Sequence, residues 1–371
     1  MVDLRKQYQR IKEEIDQAIH EVLHNCTFIQ GEQVLQFAKL LEKYCEVEHV
    51  IPCANGTDAL QIAMMALGYK PGDEIILPVH TYVATAEVIA LLGLTPIFTE
   101  VDPDTFNIDP EQIQEKITPR TRAIVPVHLY GQCADMEPIL KVAKANNLDV
   151  IEDAAQALGA IYTFSDGRKM HAGTMGKIGT TSFFPSKNLG CYGDGGALLT
   201  RDEVLAKKIK MIANHGQSVK YQHDIIGVNS RLDTLQAAIL IVKLQHLNEY
   251  ISSRNKVAQF YDEKLRDLEG VRIPRRAKNS THVFHQYTLK IVGGQRNALK
   301  NHLDEMGIPT MIYYPIPLHL QKAYRRDGFE TGAFPITETL SNEVLSLPIH
   351  TEMNDEQLVY IVDSIKDFFE L

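Results

Sequence analysis

Lys187 stands in Thr181-Ser182-Phe183-Phe184-Pro185-Ser186-Lys187-Asn188-Leu189-Gly190, where a short apolar run breaks into a loop bounded by Pro185 and the glycines of GCYGDGG. A lysine held in a closed pocket can lose its proton and form an imine with a carbonyl. A second reactive group, Asp153, closes the run DVIEDAA (149–155). A carboxylate at the end of a buried strand is costly without a cationic partner. A protonated pyridine nitrogen would serve as that partner. The pair Gly56-Thr57 follows the run HVIPCA (49–54) and precedes the helical ALQIAMMAL. Free backbone N–H groups, a hydroxyl and the positive end of a helix dipole make a seat for phosphate. Ser182, five residues before Lys187, could reach the same phosphate.

Each pattern also has a plain structural reading: a surface lysine, an ion pair or helix cap, a helix N-cap. Their order is what joins them. Phosphate seat, aromatic-bearing loop (His80-Thr81-Tyr82), acidic strand end and lysine each follow a different apolar run. In an open α/β sheet, such loops converge at the carboxyl edge. Neither common phosphate fingerprint is present: Gly176-Lys177 is followed by Ile178, and there is no G-x-G-x-x-G.

The elements that must position these groups are short apolar runs alternating with helix-like segments from about residue 49. The runs are HVIPCA, EIILPV, TPIFTEV, AIVPVH, DVIEDAA, TTSFFP and GALLT. Most are too apolar for a strand with one wet face, which predicts a mostly parallel sheet covered by helices. Before them, Leu4, Tyr8, Ile11, Ile15, Ile19 and Val22 predict an amphipathic helix. After residue 231, LDTLQAAILIVKLQHLNEYISSRNKVAQFYDEKLRDL predicts one long helix or two. The chain then changes character. HVFHQYTLKIV and PTMIYYPI read as strands, NALKNHLDEMG as a helix ended by Gly307, and NDEQLVYIVDSIKDFFEL as a helix capped by Asn354. That is the pattern of a smaller α+β domain.

The chain has 371 residues, enough for a large and a small domain, and a net charge of −9. Such a charge does not favour nucleic acid or an anionic membrane as partner. The five cysteines (Cys26, Cys45, Cys53, Cys133, Cys191) are odd in number and lack C-x-x-C spacing, against a disulfide framework or structural zinc. The N-terminus MVDLRKQYQRIKEEID is too charged for a signal peptide, and no apolar run approaches membrane length. A reduced, cytoplasmic protein is expected.

The stretches CANGTDALQIA, HTYVATAEVIALLG, VPVHLYGQCADM, VIEDAAQALGA, TSFFPSKNLGCYGDGGA, GVNSRLDTLQAAIL and YYPIPLHLQ together resemble the sugar aminotransferases of the DegT/DnrJ/EryC1/StrS family over nearly the whole chain. FFPSKNLGCYGDGGA and LYGQCADM look most like the subgroup that aminates UDP-2-acetamido-2-deoxy-3-oxo-glucuronate at C3. The resemblance implies the α/β type I fold of pyridoxal 5′-phosphate (PLP) transferases, like that of aspartate aminotransferase. Its mostly parallel seven-stranded sheet would lie in a large domain over residues 1–245, with a small α+β domain over 246–371. It also implies a homodimer with shared active sites, a nucleotide-sugar substrate and L-glutamate as amino donor. Residue by residue, Lys187 would carry PLP as an imine, Asp153 would hold the ring nitrogen and Gln156 the ring hydroxyl. Gly56, Thr57 and Ser182 would seat the phosphate, Tyr82 would lie against the ring, and Asn229 would reach the neighbouring subunit's phosphate. Arg231 would meet the sugar or its carboxylate, with Tyr313, Tyr314 and His319 also at the substrate end.

One position departs from the subgroup. The segment before P-I-P-L often reads His-Tyr there and is Tyr313-Tyr314 here, which puts the uronic acid in doubt; His80 and His319 stand nearby in the pattern. The alternatives are a dTDP-3-keto-6-deoxy sugar, a 4-keto sugar, or a non-catalytic PLP-binding regulator. Dehydratases that resemble this family carry histidine in place of the lysine, so Lys187 argues against that chemistry.

Overall fold

The computed structural model describes residues 1–325 and 328–370. Seven runs form one sheet: β1 (His49–Cys53), β2 (Glu74–Pro78), β3 (Thr95–Thr99), β4 (Thr121–Ile124), β5 (Asp149–Asp153), β6 (Ile178–Ser182) and β7 (Gly196–Thr200). Their spatial order is β1-β7-β6-β5-β4-β2-β3. The pairs from β6 across to β3 are parallel, and β7 runs antiparallel to both its neighbours. The expected mostly parallel α/β sheet is therefore present.

Ahead of the sheet come α1 (Leu4–Arg10), α2 (Lys12–Asn25) and α3 (Glu32–Cys45). The first predicted helix is divided at Ile11, whose φ of −117° and ψ of 23° leave the helical region. Ile11 and Ile15 still pack on Ile239 and Val242. Between and after the strands lie α4 (Gly56–Leu67), α5 (Ala84–Leu91), α6 (Met136–Ala145), α7 (Glu203–Ala213) and α8 (Thr234–Gln245). Alternate strand residues face opposite layers. Ile75, Leu77 and Leu198 pack with α4, α5 and α7, whereas Ala197 and Leu199 pack with α3 and α8, and Ile76 with α6. A strand buried on both faces draws apolar residues at successive positions, which is why Ile75–Leu77 in β2 and Ala197–Leu199 in β7 read as unbroken runs.

The long helical stretch is two helices, α8 and α9 (Leu247–Leu265), meeting at His246. Leu247 belongs to the α3–α8 core, while Val257, Ala258, Tyr261 and Leu265 belong to a second apolar core. That second core covers a three-stranded antiparallel sheet of β8 (Val271–Arg272), β9 (Tyr287–Ile291) and β10 (Val344–Leu347), with β9 central. Around it lie α10 (Arg296–Glu305), α11 (Pro335–Glu343) and α12 (Asp355–Glu370). Gly307 follows α10 at φ +71°, and Asn354 caps α12 by accepting the Gln357 N–H at 2.9 Å.

Two strand expectations fail here. HVFHQYTLKIV becomes a strand only at Tyr287, because Phe284 sits at φ +47° and breaks the ladder. PTMIYYPI forms no strand, only a single bridge from Met311 to Ser346. Pro309 and Pro315 remove ladder donors from that segment. The third strand is instead Val344–Leu347, which follows α11 without a punctuating residue and is fully buried.

Candidate active site

Strand register brings the separate signals together. Cys53 pairs with Gly196, Gly196 with Ser182, and Thr180 with Asp153, so the ends of β1, β6 and β5 share one edge of the sheet. At that edge the start of α4 nearly touches β6. A Cβ on Gly56 would stand 2.7 Å from the Ser182 Cβ, so only glycine permits the approach. Asn55 caps α4 by accepting the Asp58 N–H at 2.8 Å. The earlier N–H groups of Gly56 and Thr57 have no partner within the helix.

A cavity of about 660 Å³ opens there. Gly56, Thr57, Tyr82, Asp153, Gln156, Ser182, Lys187, Tyr313 and Tyr314 all line it. Asp153 is 8% exposed; its Oδ2 accepts the Thr85 hydroxyl at 2.9 Å and its Oδ1 the Ala155 N–H at 3.1 Å. Among the described residues no basic side chain comes within 4.0 Å of its oxygens. The carboxylate is thus held by two neutral donors, without a bonded cation.

Lys187 is half-buried, keeping an edge on the cavity. Burial lowers its ammonium to about 8, and the charge of Asp153 acts in the opposite sense. The two groups therefore feel each other without pairing, which leaves room between them. The donor set fits a phosphorylated, cationic aromatic ring: a glycine cradle with free N–H groups and Ser182 for a phosphate, Asp153 for a protonated ring nitrogen, and an amine able to lose its proton. Gln156 accepts the Tyr130 N–H at 2.7 Å through Oε1 and donates to the Tyr314 hydroxyl at 3.2 Å through Nε2. Tyr82 lies at the rim, 6.1 Å between ring centroids from Tyr314. Burial raises the pKa of the Tyr313 and Tyr314 phenols, keeping them as neutral donors.

Three expected residues lie elsewhere. Asn229 bridges to Asn214, and Arg231 donates to the Asn214 side chain at 3.4 Å and lines a separate cavity of about 680 Å³ with Lys207 and Lys210. That cavity is of similar size but holds none of the converging groups. His319 is fully buried, bonded through Nε2 to Glu338 at 3.0 Å and packed on Phe334 at 4.7 Å between ring centroids, with no face on the Lys187 cavity. Its place is that of a packing residue. His80 is likewise buried, with Nε2 on the Tyr130 hydroxyl at 3.2 Å.

The cavity also contains residues that sequence reasoning did not single out: Glu87, Ser186, Asp194, His285 and Gln286. No sequence signal marked the last two: the break before them is the positive φ of Phe284, visible only in the structure. Among the described residues, no group of three His, Cys, Asp or Glu is placed to hold a metal, and no helix is long and apolar enough to cross a membrane.

The chain is similar to known proteins over its whole length. A UDP-2-acetamido-2-deoxy-3-oxo-D-glucuronate aminotransferase of Pseudomonas aeruginosa is 45% identical over 97% of each chain. A protein of Geobacillus stearothermophilus named a pleiotropic regulatory protein is 46% identical over 100% of this chain and 98% of its own. The crystal structure of S. venezuelae DesV in complex with a ketimine intermediate superposes with a TM-score of 0.95 at 39% identity, covering 100% of this chain and 98% of that one. The model of the DegT/DnrJ/EryC1/StrS aminotransferase family matches residues 9–366, and the chain belongs to that family.

Proposed function

We propose that this protein transfers the amino group of L-glutamate to a nucleotide-linked 3-keto sugar, with UDP-2-acetamido-2-deoxy-3-oxo-glucuronate as the leading substrate. The observation that carries the reading is Lys187, a buried amine facing the same cavity as a carboxylate that lacks a bonded cation. The 45% identical Pseudomonas relative supports the choice of sugar. PLP would be held by Gly56, Thr57 and Ser182 at its phosphate, by Asp153 at its ring nitrogen, by Gln156 at its hydroxyl and by Tyr82 against its face. When bound, it supplies a sink for the electrons left when a C–H bond beside the amino group breaks.

The chain's own groups supply the rest. The Lys187 amine would act as the base, taking the proton from the donor carbon onto Nζ and giving it up again to complete the transfer. Asp153 would stabilise a positive charge on the ring nitrogen. Tyr82, Tyr313 and Tyr314 narrow the sugar end and exclude water. Asn229 and Arg231, remote from this cavity, take part through a second copy of the chain in a cytoplasmic homodimer. Cell-surface polysaccharide synthesis is the corresponding role.

Tyr313, where the glucuronate subgroup often has histidine, favours a second reading in which the sugar is a dTDP-3-keto-6-deoxyhexose or a 4-keto sugar. A dTDP-3-amino-3,4,6-trideoxy-alpha-D-glucose transaminase of Streptomyces venezuelae is 39% identical over 100% of this chain and 96% of its own. The name of the Geobacillus relative keeps a regulator without turnover as the contrasting case. Incubation of PLP-loaded protein with L-glutamate and a panel of UDP- and dTDP-keto sugars decides among the three. Product mass identifies the sugar, and absorbance reports the lysine–cofactor linkage. A loaded protein whose absorbance glutamate leaves unchanged would sink the enzyme reading.

A further inference from the structure

We propose that Tyr130 is a positioning residue, a strut behind the cavity that holds the wall proposed for the sugar in register with the wall proposed for the cofactor. The inference rests on the sugar lying against Tyr313 and Tyr314. Tyr130 is 2% exposed and has no face on the Lys187 cavity, so it acts through residues that do. Its N–H donates to the Gln156 Oε1 at 2.7 Å, and its carbonyl accepts the Gln286 N–H at 3.2 Å. Its hydroxyl donates to the Tyr313 carbonyl and meets the His80 Nε2 at 3.2 Å. Gln156, Gln286 and Tyr313 all line the cavity. They come from three places in the chain: the loop after β5, the segment before β9, and the stretch between Pro309 and Pro315.

The chemistry of the groups fixes the direction of each bond. A carbonyl only accepts, so the hydroxyl proton points at Tyr313 and the facing His80 nitrogen must donate. Burial lowers the His80 imidazolium to about 4, so the ring is neutral with its proton on Nε2. A backbone N–H only donates, so that of Tyr130 selects the oxygen of the Gln156 amide and turns the NH2 group the other way. One of those two hydrogens goes to the Tyr314 hydroxyl at 3.2 Å. The other has no acceptor among the described residues and is available to the ring oxygen proposed for it.

The strut is held from several sides. Tyr130 stands at φ +58° and ψ 0°, a left-handed conformation uncommon for a bulky residue and kept only where the surroundings impose it. Phe106 packs edge-on against its ring at 5.2 Å between centroids. Its apolar neighbours come from both sides of the molecule: Val101 and Val127 follow strands of the large sheet, whereas Leu340 and Val344 belong to α11 and β10. Gly131, next in the chain, sits at φ +109°, and a Cβ there would stand 2.9 Å from the backbone nitrogens of Phe284 and His285. The turn therefore seats directly on the segment that carries Gln286.

The hydroxyl is the part that can be removed alone. Without it the Tyr313 carbonyl and the His80 N–H each lose a partner, whereas the bond to Gln156, made by the backbone, stays. The expected result is selective. The wall proposed for the sugar loosens, and the wall proposed for the cofactor does not.

The test compares wild type, Tyr130→Phe, the double variant His80→Leu/Tyr130→Phe and Tyr162→Phe. Tyr162 is the control: its hydroxyl is bonded to Asp135 and to the Glu137 N–H, its side chain is buried, and it lies outside the cavity. First, amide hydrogen exchange is followed by peptide mass on the full cofactor-free chains. The peptide over residues 310–317 should exchange about fivefold faster in Tyr130→Phe than in wild type, and at the wild-type rate in Tyr162→Phe. Second, the PLP-loaded proteins are assayed with L-glutamate and UDP-2-acetamido-2-deoxy-3-oxo-glucuronate, or with the panel sugar that turns over. In Tyr130→Phe the KM for the sugar should rise about tenfold, with the glutamate half-reaction within about twofold of wild type. The double variant removes the orphaned His80 N–H. It should melt closer to wild type than Tyr130→Phe does while keeping the raised KM and the faster exchange, and it replaces Tyr130→Phe if the single variant does not fold. A wild-type sugar KM or exchange rate in Tyr130→Phe, the same changes in Tyr162→Phe, or recovery of KM along with melting temperature in the double variant would overturn the inference. Faster exchange over 310–317 together with a glutamate-inert holoenzyme in wild type would uphold the tie between Tyr130 and Tyr313 and defeat the aminotransferase reading instead.

Discussion

Two lysines meet at the loop leaving β6, one half-buried and one buried, and they differ in what holds them. Lys187 belongs to the loop and opens on the cavity. Lys243 comes from α8 behind it and is 1% exposed. Burial lowers both to about 8. Lys243 is engaged: its Nζ binds the Gly190 carbonyl and lies 5.1 Å from the Tyr192 ring centroid. Gln236, two turns earlier on the same helix face, accepts the Tyr192 N–H at 2.8 Å. Nζ of Lys187 has no hydrogen bond to any described residue. A depressed pKa therefore marks both amines as desolvated, and only the absence of a fixed partner marks one as reactive. The rear lysine anchors the loop; the front lysine is carried by it.

Substitution at the front lysine should break the comparison most severely. Lys187→Ala is expected to show no lysine–cofactor absorbance and no detectable turnover while melting at or above the wild-type temperature, since a desolvated amine is gone. Spectra, product assay and thermal melting on the same sample check all three. A Lys187→Ala protein that transaminates at the wild-type rate would make the two lysines equivalent and remove the reaction centre.

Next in size is Asp153→Ala. This carboxylate is held by Thr85 and by the Ala155 N–H, pre-aimed before any ligand arrives. Losing a preorganised charge of this kind should lower kcat/KM by at least about a hundredfold. Cofactor retention on dialysis should fall in parallel. A variant as active as the parent would mean that the ring nitrogen has another partner.

Gly56→Ala acts on the phosphate end. The new methyl group would meet the Ser182 Cβ at 2.7 Å, between a helix start and a strand end that cannot both yield. Overpacking of this kind costs about 1–3 kcal/mol. Apparent PLP affinity should fall about tenfold or more with kcat at saturating PLP less affected, as read by titrating PLP into the cofactor-free protein. Unchanged affinity would place the phosphate elsewhere.

These residues differ in how legible they are in the sequence. The wall proposed for the cofactor could be read because strand ends in a parallel sheet share one edge. Once GTD, VIEDAA and SFFPSK are each placed after an apolar run, convergence follows from topology. The wall proposed for the sugar could not be read in that way. Tyr313, Tyr314 and Gln286 come from stretches without periodicity, one broken by prolines and the other by Phe284 in a left-handed conformation. Their positions depend on tertiary bonds such as Gln156 to Tyr314 and Asn188 to Val283, which no local pattern announces. His319 shows the opposite error. Its neighbourhood in the chain suggested the substrate, whereas Glu338 and Phe334 claim it for packing. Lys243 was equally hidden, since a lysine in an apolar helix sequence looks like a solvated face until Gly190 is seen above it.

The smallest effect separates the two lysines by pH. A lysine lowered to about 8 in the folded chain holds fewer protons there than in the unfolded chain up to about pH 10.4. Stability from such a group therefore rises with pH across that window, and below it the buried ammonium is at its full cost. In Lys243→Met, two opposing changes meet at pH 7: the Gly190 carbonyl loses its donor, and the desolvated charge is relieved. The net change there should be about 1 kcal/mol or less in either direction. As pH rises from 8 toward 10, the difference should move steadily in favour of wild type, because only wild type has this lysine to deprotonate on folding. Lys187 contributes the same slope to both proteins and cancels. Urea unfolding of the pair at pH 7, 8, 9 and 10 gives the difference curve. A flat curve would show that Lys243 keeps an ordinary affinity for its proton, and the rear lysine would then differ from the front one in charge state as well as in partners.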